Sequence, residues 1–546
     1  MAFLPNPAQA RNKPVTVPSP TGGLNASASL ADMPPTDAVS MRNWWPQPYG
    51  LSVRKGTREW ALGLGGPVNT IATWNSISGS GKAFAWALGW MYDISTRQRV
   101  NAPLLAGLSN SWWQTTQLVN AAGAHMLAVN GADNGIVYNE TGIHRLTVGD
   151  GIAAYTWKNL DPKAAVELTV HQGRLWAVKQ QSSEAWYLPV GQISGVLVKF
   201  DFGPLFSRGG YLAQLTTWTI DDGNGAEDHL VAVSSRGEAV VYGGTNPADD
   251  AKWTLVGVYY VGPPLPGRRS WAKISGDLVF LTQRGLVSTA AMLVSTKVKD
   301  SNLMKSSKIQ FLLAEATTTF GTLDGWSFNY FPPINMLMVN IPVPTGTGPV
   351  QLASNDVMPE QPWTTFHEVP AICWKAYSEF ILFGNADGNV MEFWTGYTDN
   401  KGLAGLGGDA IASSVQQAYT YLGGMAVQKQ VDMYRINFIT DTPYAVSYAS
   451  NLLYDFTIPP VRSINAAVAP RSNRAGINPL GTVAEARWGI GQWDEDLWGG
   501  SSQIQANYWK QAIGLGYVVS LAISMKSSTS VIWVSTDMSS KQGGLL

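Results

Sequence analysis

The amino-acid sequence predicts an all-β protein: a β-propeller of six or seven blades with an extended N-terminal arm and a C-terminal β-sandwich domain. The first observation is residues 228–247, DHLVAVSSRGEAVVYGGTNP, whose two arms alternate apolar and polar residues around a Ser-Ser-Arg-Gly turn. This pattern is typical of an antiparallel hairpin, with glycine where φ is positive. The second is that the hairpin recurs at a spacing near 50 residues, as in propeller repeats. The third is the composition, since 56 Gly, 31 Pro and 23 Trp favour turns and short aromatic strands over long helices.

The copies of the hairpin share an apolar first arm, a polar turn and, in most copies, a second apolar arm. They occupy residues 81–95, 124–139, 173–188, 228–247, 276–290, 335–343 and 379–393. Their first arms contain the anchors Phe84, Met126, Leu175, Leu230, Leu278, Leu337 and Ile381, at intervals of 42 to 59 residues. Because a four-stranded blade uses about 40–50 residues, residues 59–398 are predicted to form the propeller.

Residues 1–58 do not resemble a blade. Residues 1–30 are rich in Pro, Ala, Ser and Asn with little periodicity, which predicts an extended arm that becomes ordered only against another surface. Thr36 or Asp37 can cap a single helical turn over residues 37–43. An aromatic anchor follows, made of Trp44, Trp45, Pro46 and Tyr49. We expect these aromatic residues to close the bottom of the ring, with binding of a partner as the alternative.

The composition changes after Thr398. Residues 399–414 are Gly-rich and lack aromatic residues, which predicts a connector. Residues 415–546 alternate with a spacing unlike that of the blades and are predicted to form the β-sandwich. Within them, residues 487–502 place Trp488, Trp493 and Trp498 five apart in a Gly-rich loop. These side chains either pack inside the loop or form a docking surface.

Charge and cysteine content limit the classes of function. The 37 basic residues nearly cancel the 38 acidic ones, so a net charge of -1 provides no bulk attraction for nucleic acid or an anionic membrane. Cys373 is the single cysteine, which excludes an internal disulfide, and its apolar neighbours predict a buried side chain. The N-terminus has no apolar signal region and no window reaches 18 apolar residues. We therefore expect no secretion signal and no insertion into a membrane.

Two patterns resemble a phosphate-binding loop and a metal site, but their residues do not have the required spacing. Residues 76–84, SISGSGKAF, contain Gly-Ser-Gly-Lys but lack the first Gly and the final Ser or Thr of a phosphate-binding loop. The histidines are scattered, with no paired metal-ligand spacing: His125, His144, His171, His229 and His367.

The loops rich in Asp, Asn and Gly are predicted to be tight turns and not metal-binding sites. Residues 221–228, 131–135 and 385–389 hold the Asp, Asn and Gly that tight turns need, and residues 221–228 do not follow the order of a calcium loop. Residues 354–363 begin like the Asp box of a sialidase but lack its Gly and its Trp spacing. Nothing singles out an acid/base pair among the many carboxylates. The sequence therefore predicts no catalytic residue, no cofactor and no metal site, and hence no enzyme.

Several segments, taken in their order along the chain, resemble a known family of proteins. They are GG-L-N, MPP-x-DA and NWWPQPYG-L-x-VRKG within residues 22–56, followed by residues 171–212, 219–269 and 383–400. Together they resemble the tail nozzle or head-to-tail joining proteins of short-tailed bacteriophages (podophages). The individual turns are unspecific, but their order covers most of the chain.

The resemblance implies a structural virion protein in the phage tail. Such a protein forms a homo-oligomeric ring, with six copies favoured, that continues the DNA exit channel below the portal and the adaptor. Its partners would be further copies of itself, the tail adaptor ring, tail fibres or spikes and, transiently, double-stranded DNA. We expect residues 1–30 to lie on a neighbouring subunit or on the adaptor. A propeller-fold carbohydrate-active enzyme and a generic propeller interaction scaffold remain the alternatives.

DNA must pass such a ring without adhering to it. A basic lining would bind the duplex through release of counterions, whereas a neutral or acidic lining would let it slide. We therefore expect the two densest basic clusters, residues 268–273 and 297–308, to face outward or a subunit interface. The channel would be lined by polar and acidic side chains, and the ring would bind duplex DNA weakly.

Overall fold

The computed structural model describes residues 13–221, 226–294, 306–344, 349–425, 427–441, 446–456, 478–479, 504–506 and 508–542. The described residues are mostly β-strand, which confirms the predicted all-β class. The helices are the α-helices Thr289–Val294 and Gln310–Phe320 and the 3-10 helices Pro162–Ala164, Gly203–Leu205, Ser307–Ile309 and Pro332–Ile334. None of the helices in these ranges has the length and hydropathy needed to cross a membrane.

The chain divides into two compact units. Unit 1 comprises residues 1–57, 352–367 and 394–546, and unit 2 comprises residues 58–351 and 368–393. The predicted four-part division of the chain stays a prediction. Residues 352–367 belong to unit 1, although they fall within residues 59–398, which were predicted to form the propeller.

The described strands of unit 2 form six whole sheets, mainly antiparallel, and part of an eleven-stranded sheet, and we number these groups sheets 1 to 7 in chain order. Sheet 1 contains Val68–Asn75, Gly81–Ala87 and Trp90–Asp93. Sheet 2 contains Gln114–Asn120, Gly123–Val129, Gly135–Asn139 and Gly142–Val148, extended by Thr156–Lys158 and Gly195–Val196. Sheet 3 contains Ala165–His171, Arg174–Lys179, Glu184–Tyr187 and Val198–Asp201. Sheet 4 contains Leu212–Asp221, Ala226–Ser234, Glu238–Gly244 and Trp253–Tyr260.

The remaining three sheets complete unit 2. Sheet 5 contains Trp271–Ile274, Asp277–Thr282 and Gly285–Ser288. Sheet 6 contains Ser327–Phe331, Met336–Ile341 and the start of Val350–Asn355. Sheet 7 contains Cys373–Tyr377, Phe380–Gly384, Val390–Thr395, Gly56–Leu62 and Gln98–Arg99.

The predicted hairpin strands are confirmed. Each of the seven anchors lies on the second strand of a different sheet, and each is buried: Phe84, Met126, Leu175, Leu230, Leu278, Leu337 and Ile381. The period-2 alternation arises because one face of each sheet packs on the preceding sheet and the other face on the following one. Large aromatic side chains fill these layers. Trp86 stacks on Trp113 with ring centroids 6.1 Å apart between sheets 1 and 2, and Trp176 stacks on Trp253 at 6.1 Å between sheets 3 and 4.

The sheets of unit 2 close into a ring. The first strands of sheets 1, 2, 3 and 4 contact one another in that order, and those of sheets 5, 6, 7 and 1 do the same. The first strand of sheet 4 contacts the second strand of sheet 5, which completes the circuit. Sheet 7 takes the strand Gly56–Leu62 from the start of the chain and pairs it with Val390–Thr395 from the end of the unit. Unit 2 is therefore a β-propeller, while the number of blades stays a prediction.

Unit 1 contains two groups of strands. One is an eight-stranded sheet of Lys13–Pro18, Trp44–Gln47, Gly50–Val53, Lys429–Thr440, Ile504–Ala506, Lys510–Gln511, Leu515–Gly516 and Val531–Gln542. The other contains Gly23–Leu24, Asp37–Arg42, Trp363–Phe366, Thr398–Asp399, Asp409–Gln417, Val446–Leu453, Asn478–Pro479 and Ser520–Ser527. The C-terminal sandwich stays a prediction, and the three tryptophans of residues 487–502 lie outside the described residues.

Pairing over long distances in the sequence corrects three expectations for unit 1. The helical turn over residues 37–43 is wrong, because Asp37–Arg42 is a strand that pairs with residues 414–417. The arm was expected to lie on a neighbouring subunit or on the adaptor, but Lys13–Pro18 pairs with residues 535–540 of the same chain. Within residues 399–414, predicted to be a connector, the strand Asp409–Gln417 begins. Local composition cannot show a partner strand that lies hundreds of residues away.

The aromatic anchor lies in the core of unit 1. Trp44 is fully buried and meets Trp533 edge to face, with ring centroids 6.5 Å apart. Trp45 is buried against Phe366, at 6.1 Å. Tyr49 is exposed. The two tryptophans therefore stabilise their own unit.

Arg54 connects the three chain segments of unit 1. Its Nη1 and Nη2 donate to the two carboxylate oxygens of Asp399 at 2.8 and 2.6 Å, and its Nε donates to Asn43 Oδ1 at 3.0 Å. The remaining N–H groups donate to the carbonyl oxygens of Lys55 and His367. All five donors of this buried guanidinium are used, which is what an arginine needs in order to be buried at low cost.

A cationic cavity as the candidate functional site

The propeller contains a cavity of about 510 Å³ that is open to solvent. Its walls come from the first strands of sheets 1, 2, 5, 6 and 7 and from the residues just before them. Four of the lining residues are aromatic: Trp271, Phe328, Tyr330 and Trp374. Four others are cationic: Arg268, Arg269, Lys273 and Lys375. First strands line the centre of a propeller, so the cavity belongs to the ring itself.

Arg268 lies in a strained turn that precedes sheet 5. Gly267 has a φ of 95° and Arg268 a φ of 56°, in the left-handed region that costs a non-glycine residue about 1–2 kcal/mol. Contacts of the side chain hold this conformation. Its Nη1 donates to Glu167 Oε2 at 3.0 Å and to the carbonyl of Ala213 at 2.7 Å. A β-bulge at Ala213, in the first strand of sheet 4, makes that carbonyl available.

Arg269 is held by neutral acceptors. Its Nη1 donates to the carbonyl of Asn69 at 2.8 Å, and its Nη2 donates to Thr70 Oγ1 at 2.8 Å and to the carbonyl of Trp113 at 3.1 Å. Asn69 is the bulged residue of the first strand of sheet 1, so a second bulge supplies an acceptor. Burial lowers the pKa of Arg269 from its usual value. Its guanidinium has no carboxylate within ion-pair distance among the described residues.

Glu167 is the carboxylate paired to this group of cations. A bulge between Ala165 and Glu167 interrupts the first strand of sheet 3. Oε2 of Glu167 accepts a hydrogen bond from the backbone N–H of Leu215 at 3.2 Å. Burial raises the pKa of Glu167 to about 7, although the charge of Arg268 acts in the opposite direction. The carboxylate balances at most one positive charge of the cavity.

Lys273 and Lys375 lie on the first strands of sheets 5 and 7. Burial lowers the pKa of Lys375, and the nearby charge of Arg269 lowers it further. Burial also lowers the pKa of Lys273, which Asp228 partly offsets. Neither ammonium group has a hydrogen bond or an ion pair within the described ranges of the chain. The cavity therefore holds more positive than negative charge.

The structure corrects the expectation for the first basic cluster. Residues 268–273 were expected to face outward or a subunit interface, but Arg268 and Arg269 line the central cavity of their own propeller. The local sequence shows two arginines before a strand, and it does not show the three bulges that position their acceptors. Most of the second cluster, residues 297–308, lies outside the described residues.

The other motifs occur where turns were predicted. Asn130 Oδ1 accepts bonds from the N–H groups of Ala132 and Asp133, and Asn385 Oδ1 accepts bonds from those of Asp387 and Asn389. Both segments are hairpin turns, as expected. The central part of the loop at residues 221–228 lies outside the described residues.

Cys373 is buried, as expected from its apolar neighbours. Its Sγ donates to the carbonyl of Val68 at 3.2 Å. Burial raises the pKa of the thiol to about 11, so the reactive thiolate is disfavoured.

No protein-family model and no curated protein matches the chain. Among solved structures, YCF48 bound to D1 peptide is 11% identical with a TM-score of 0.36, over 67% of this chain and 99% of that one. YCF48 from Cyanidioschyzon merolae is 11% identical with a TM-score of 0.37, over 62% and 98%. The β-propeller domain of Cps50 (Swd1) from Myceliophteria thermophila is 9% identical with a TM-score of 0.33, over 60% and 97%. At these scores the likenesses support no statement about function.

Proposed function

We propose that the chain is a structural virion protein, the tail nozzle of a short-tailed bacteriophage. In this proposal, six copies form a ring that continues the DNA exit channel below the portal and adaptor and docks fibres or spikes. The ordered resemblance of residues 22–56, 171–212, 219–269 and 383–400 to this family supports the proposal.

The structural observation that carries the oligomeric part is the outer edge of sheet 4. Its last strand, Trp253–Tyr260, is eight residues long and pairs on one side alone among the described residues. It contains no charged residue and no proline, and it exposes the aliphatic side chains of Leu255, Val256 and Val258. Monomeric proteins protect such edges with charges, prolines or short strands. A second copy of the chain is the occupant that we propose for this edge.

Closure of a ring needs two different faces, because a head-to-tail interface repeats around the axis. The outer edge of sheet 4 would supply one face. We further propose that the seven sheets of unit 2 are seven blades and that unit 1 includes the predicted β-sandwich. The attachment to the adaptor and fibres follows from the resemblance alone.

The test is the mass and symmetry of the purified chain. Mass photometry should find particles of six times the 58.9 kDa of one chain. Negative-stain electron microscopy should show rings with six-fold symmetry. A chain that stays monomeric at every concentration tested, with no rings on the grid, would overturn the proposal.

Two single variants locate the interface. Val258→Lys places a charge on the proposed edge and should abolish the rings while circular dichroism stays unchanged. Ile77→Lys is the matched control, because Ile77 is at least as exposed but lies in a hairpin turn of sheet 1. Rings that survive Val258→Lys would show that this edge is not the interface.

The proposal includes the absence of catalysis. A screen with bacterial polysaccharides and peptidoglycan tests the carbohydrate-active alternative. Reproducible turnover that disappears when one carboxylate is replaced would favour the enzyme.

A further inference from the structure

One of the four cationic groups at the propeller cavity, Arg268, forms an ion pair with a carboxylate, and the charge of Asp228 acts on a second, Lys273. Glu167 pairs with Arg268, whereas Arg269, Lys273 and Lys375 have no ion pair in the part of the chain that the structure describes. Placing like charges together in a partly buried space is unfavourable unless a counter-charge joins them.

Arg269 keeps hydrogen-bond capacity for a ligand. Its three bonds to Asn69, Thr70 and Trp113 use three of the five N–H groups of a guanidinium. The Nε group and one hydrogen of Nη1 have no acceptor within the described ranges. The bonds to the two strands meanwhile fix the plane of the guanidinium, which removes much of the entropy cost of binding.

The cavity also has the size and walls of a small-molecule site. Its volume of about 510 Å³ is within the range of ordinary ligand pockets, roughly 300–1,000 Å³. Trp271, Tyr330 and Trp374 provide aromatic surface beside the cations. A guanidinium and ammonium groups that line one cavity favour phosphate oxygens, and aromatic side chains favour a planar organic body.

We propose that this cavity binds a phosphate monoester of a small organic molecule. Arg269, Lys273 and Lys375 bind the phosphate, and the aromatic side chains contact the organic part. Its two negative charges then balance most of the excess positive charge. This inference concerns one propeller and does not depend on ring assembly or on the proposed role in a phage tail.

A purely structural role is the alternative. Arg269 joins the first strand of sheet 1 to the start of sheet 2 and would do so without a ligand. That role does not account for Lys273 and Lys375, whose ammonium groups join nothing in the described structure. Replacement of Lys273 and Lys375 therefore distinguishes a ligand site from a purely structural role.

The experiment is isothermal titration calorimetry with three probes at constant ionic strength: adenosine monophosphate, inorganic phosphate and adenosine. We expect one binding site per chain for adenosine monophosphate, weaker binding of inorganic phosphate, and the weakest binding of adenosine. Lys375→Met and Lys273→Met should each weaken binding of adenosine monophosphate about tenfold, because each removes one charge-assisted contact. Lys163→Met is the matched control, since Lys163 is exposed on a 3-10 helix and does not line the cavity.

Three outcomes overturn the proposal. One is that neither adenosine monophosphate nor inorganic phosphate binds the folded wild-type protein. Another is that adenosine binds as tightly as its monophosphate, because the phosphate would then not be recognised. The third is that the variant with both lysines replaced stays folded by circular dichroism and binds as tightly as Lys163→Met.

Discussion

Replacement of Arg54 by Met should destabilise unit 1 strongly. The change removes both bonds to Asp399, whose side chain is 7% exposed, and leaves the carboxylate buried without a counter-charge. It also removes the donors that serve Asn43 and the carbonyl of His367. Breaking one partner out of a buried ion pair costs about 3–5 kcal/mol, and we expect a loss of that size in the free energy of unfolding of unit 1.

Native-state hydrogen exchange measures this loss separately for each unit. The amides of Asp409–Gln417 report on unit 1, and those of Arg174–Lys179 report on the propeller. Lys82→Met is the control, because Lys82 and Asp93 form a partly exposed pair whose loss should cost about 1 kcal/mol or less. The double variant Arg54→Met/Asp399→Leu should recover part of the loss, since it leaves no buried charge.

A small effect would refute this reasoning. If Arg54→Met costs less than about 1 kcal/mol, water or another cation must reach Asp399, and the five-bond network does not stabilise the unit. If the double variant is no more stable than the single one, the loss comes from packing and not from the unpaired carboxylate.

Three further predictions concern acid, the N-terminus and DNA. Burial lowers the pKa of His171 to about 4, so below pH 6.5 the unfolded chain takes up a proton that the folded chain does not. This group alone should lower the free energy of unfolding by roughly 2–3 kcal/mol between pH 7 and pH 4.5. In urea titrations at the two pH values, the change in stability of His171→Asn should therefore differ from that of wild type by this amount, with the variant losing less. Equal pH dependence in both proteins would contradict this. Deleting residues 1–18 removes the partner of residues 535–540 and should increase amide exchange in Val531–Gln542 while the propeller stays protected; unchanged exchange would mean that this pairing adds no stability. Fluorescence anisotropy should find duplex DNA binding no tighter than about 10⁻⁶ M at physiological salt, and tighter, steeply salt-dependent binding would contradict a conduit.

The hairpin strands of the propeller could be predicted because their signals are local. In residues 228–247 the alternation, the glycine turn and the second arm all lie within twenty residues. A recurring local pattern then indicates the architecture, since stacked copies bury the faces that a single copy cannot bury. The strand positions of all seven anchors follow from this reasoning alone.

The candidate site could not be predicted, because it depends on backbone irregularities and on contacts between distant strands. Arg268 finds its acceptor at a bulge 55 residues earlier in the chain, and Arg269 finds one 200 residues earlier. Nothing in the alternation of Leu212–Asp221 shows which residue is bulged. The pairing of Lys13–Pro18 is hidden in the same way, since residues 13–18 alternate but their partner, Val531–Gln542, lies more than 500 residues later.

The closing strand of the propeller has a consequence for synthesis of the chain. Gly56–Leu62 leaves the ribosome early, and its partner Val390–Thr395 begins 328 residues after Leu62. At about 5–20 residues per second, the strand waits roughly 16–66 s with an unpaired edge. Arg58 and Glu59 lie within it and reduce the risk that the waiting edge pairs with another nascent chain. Unit 1 has to wait longer still, because Lys13–Pro18 pairs with Val531–Gln542, so the propeller can close before that strand has been synthesised whereas unit 1 cannot be completed until then.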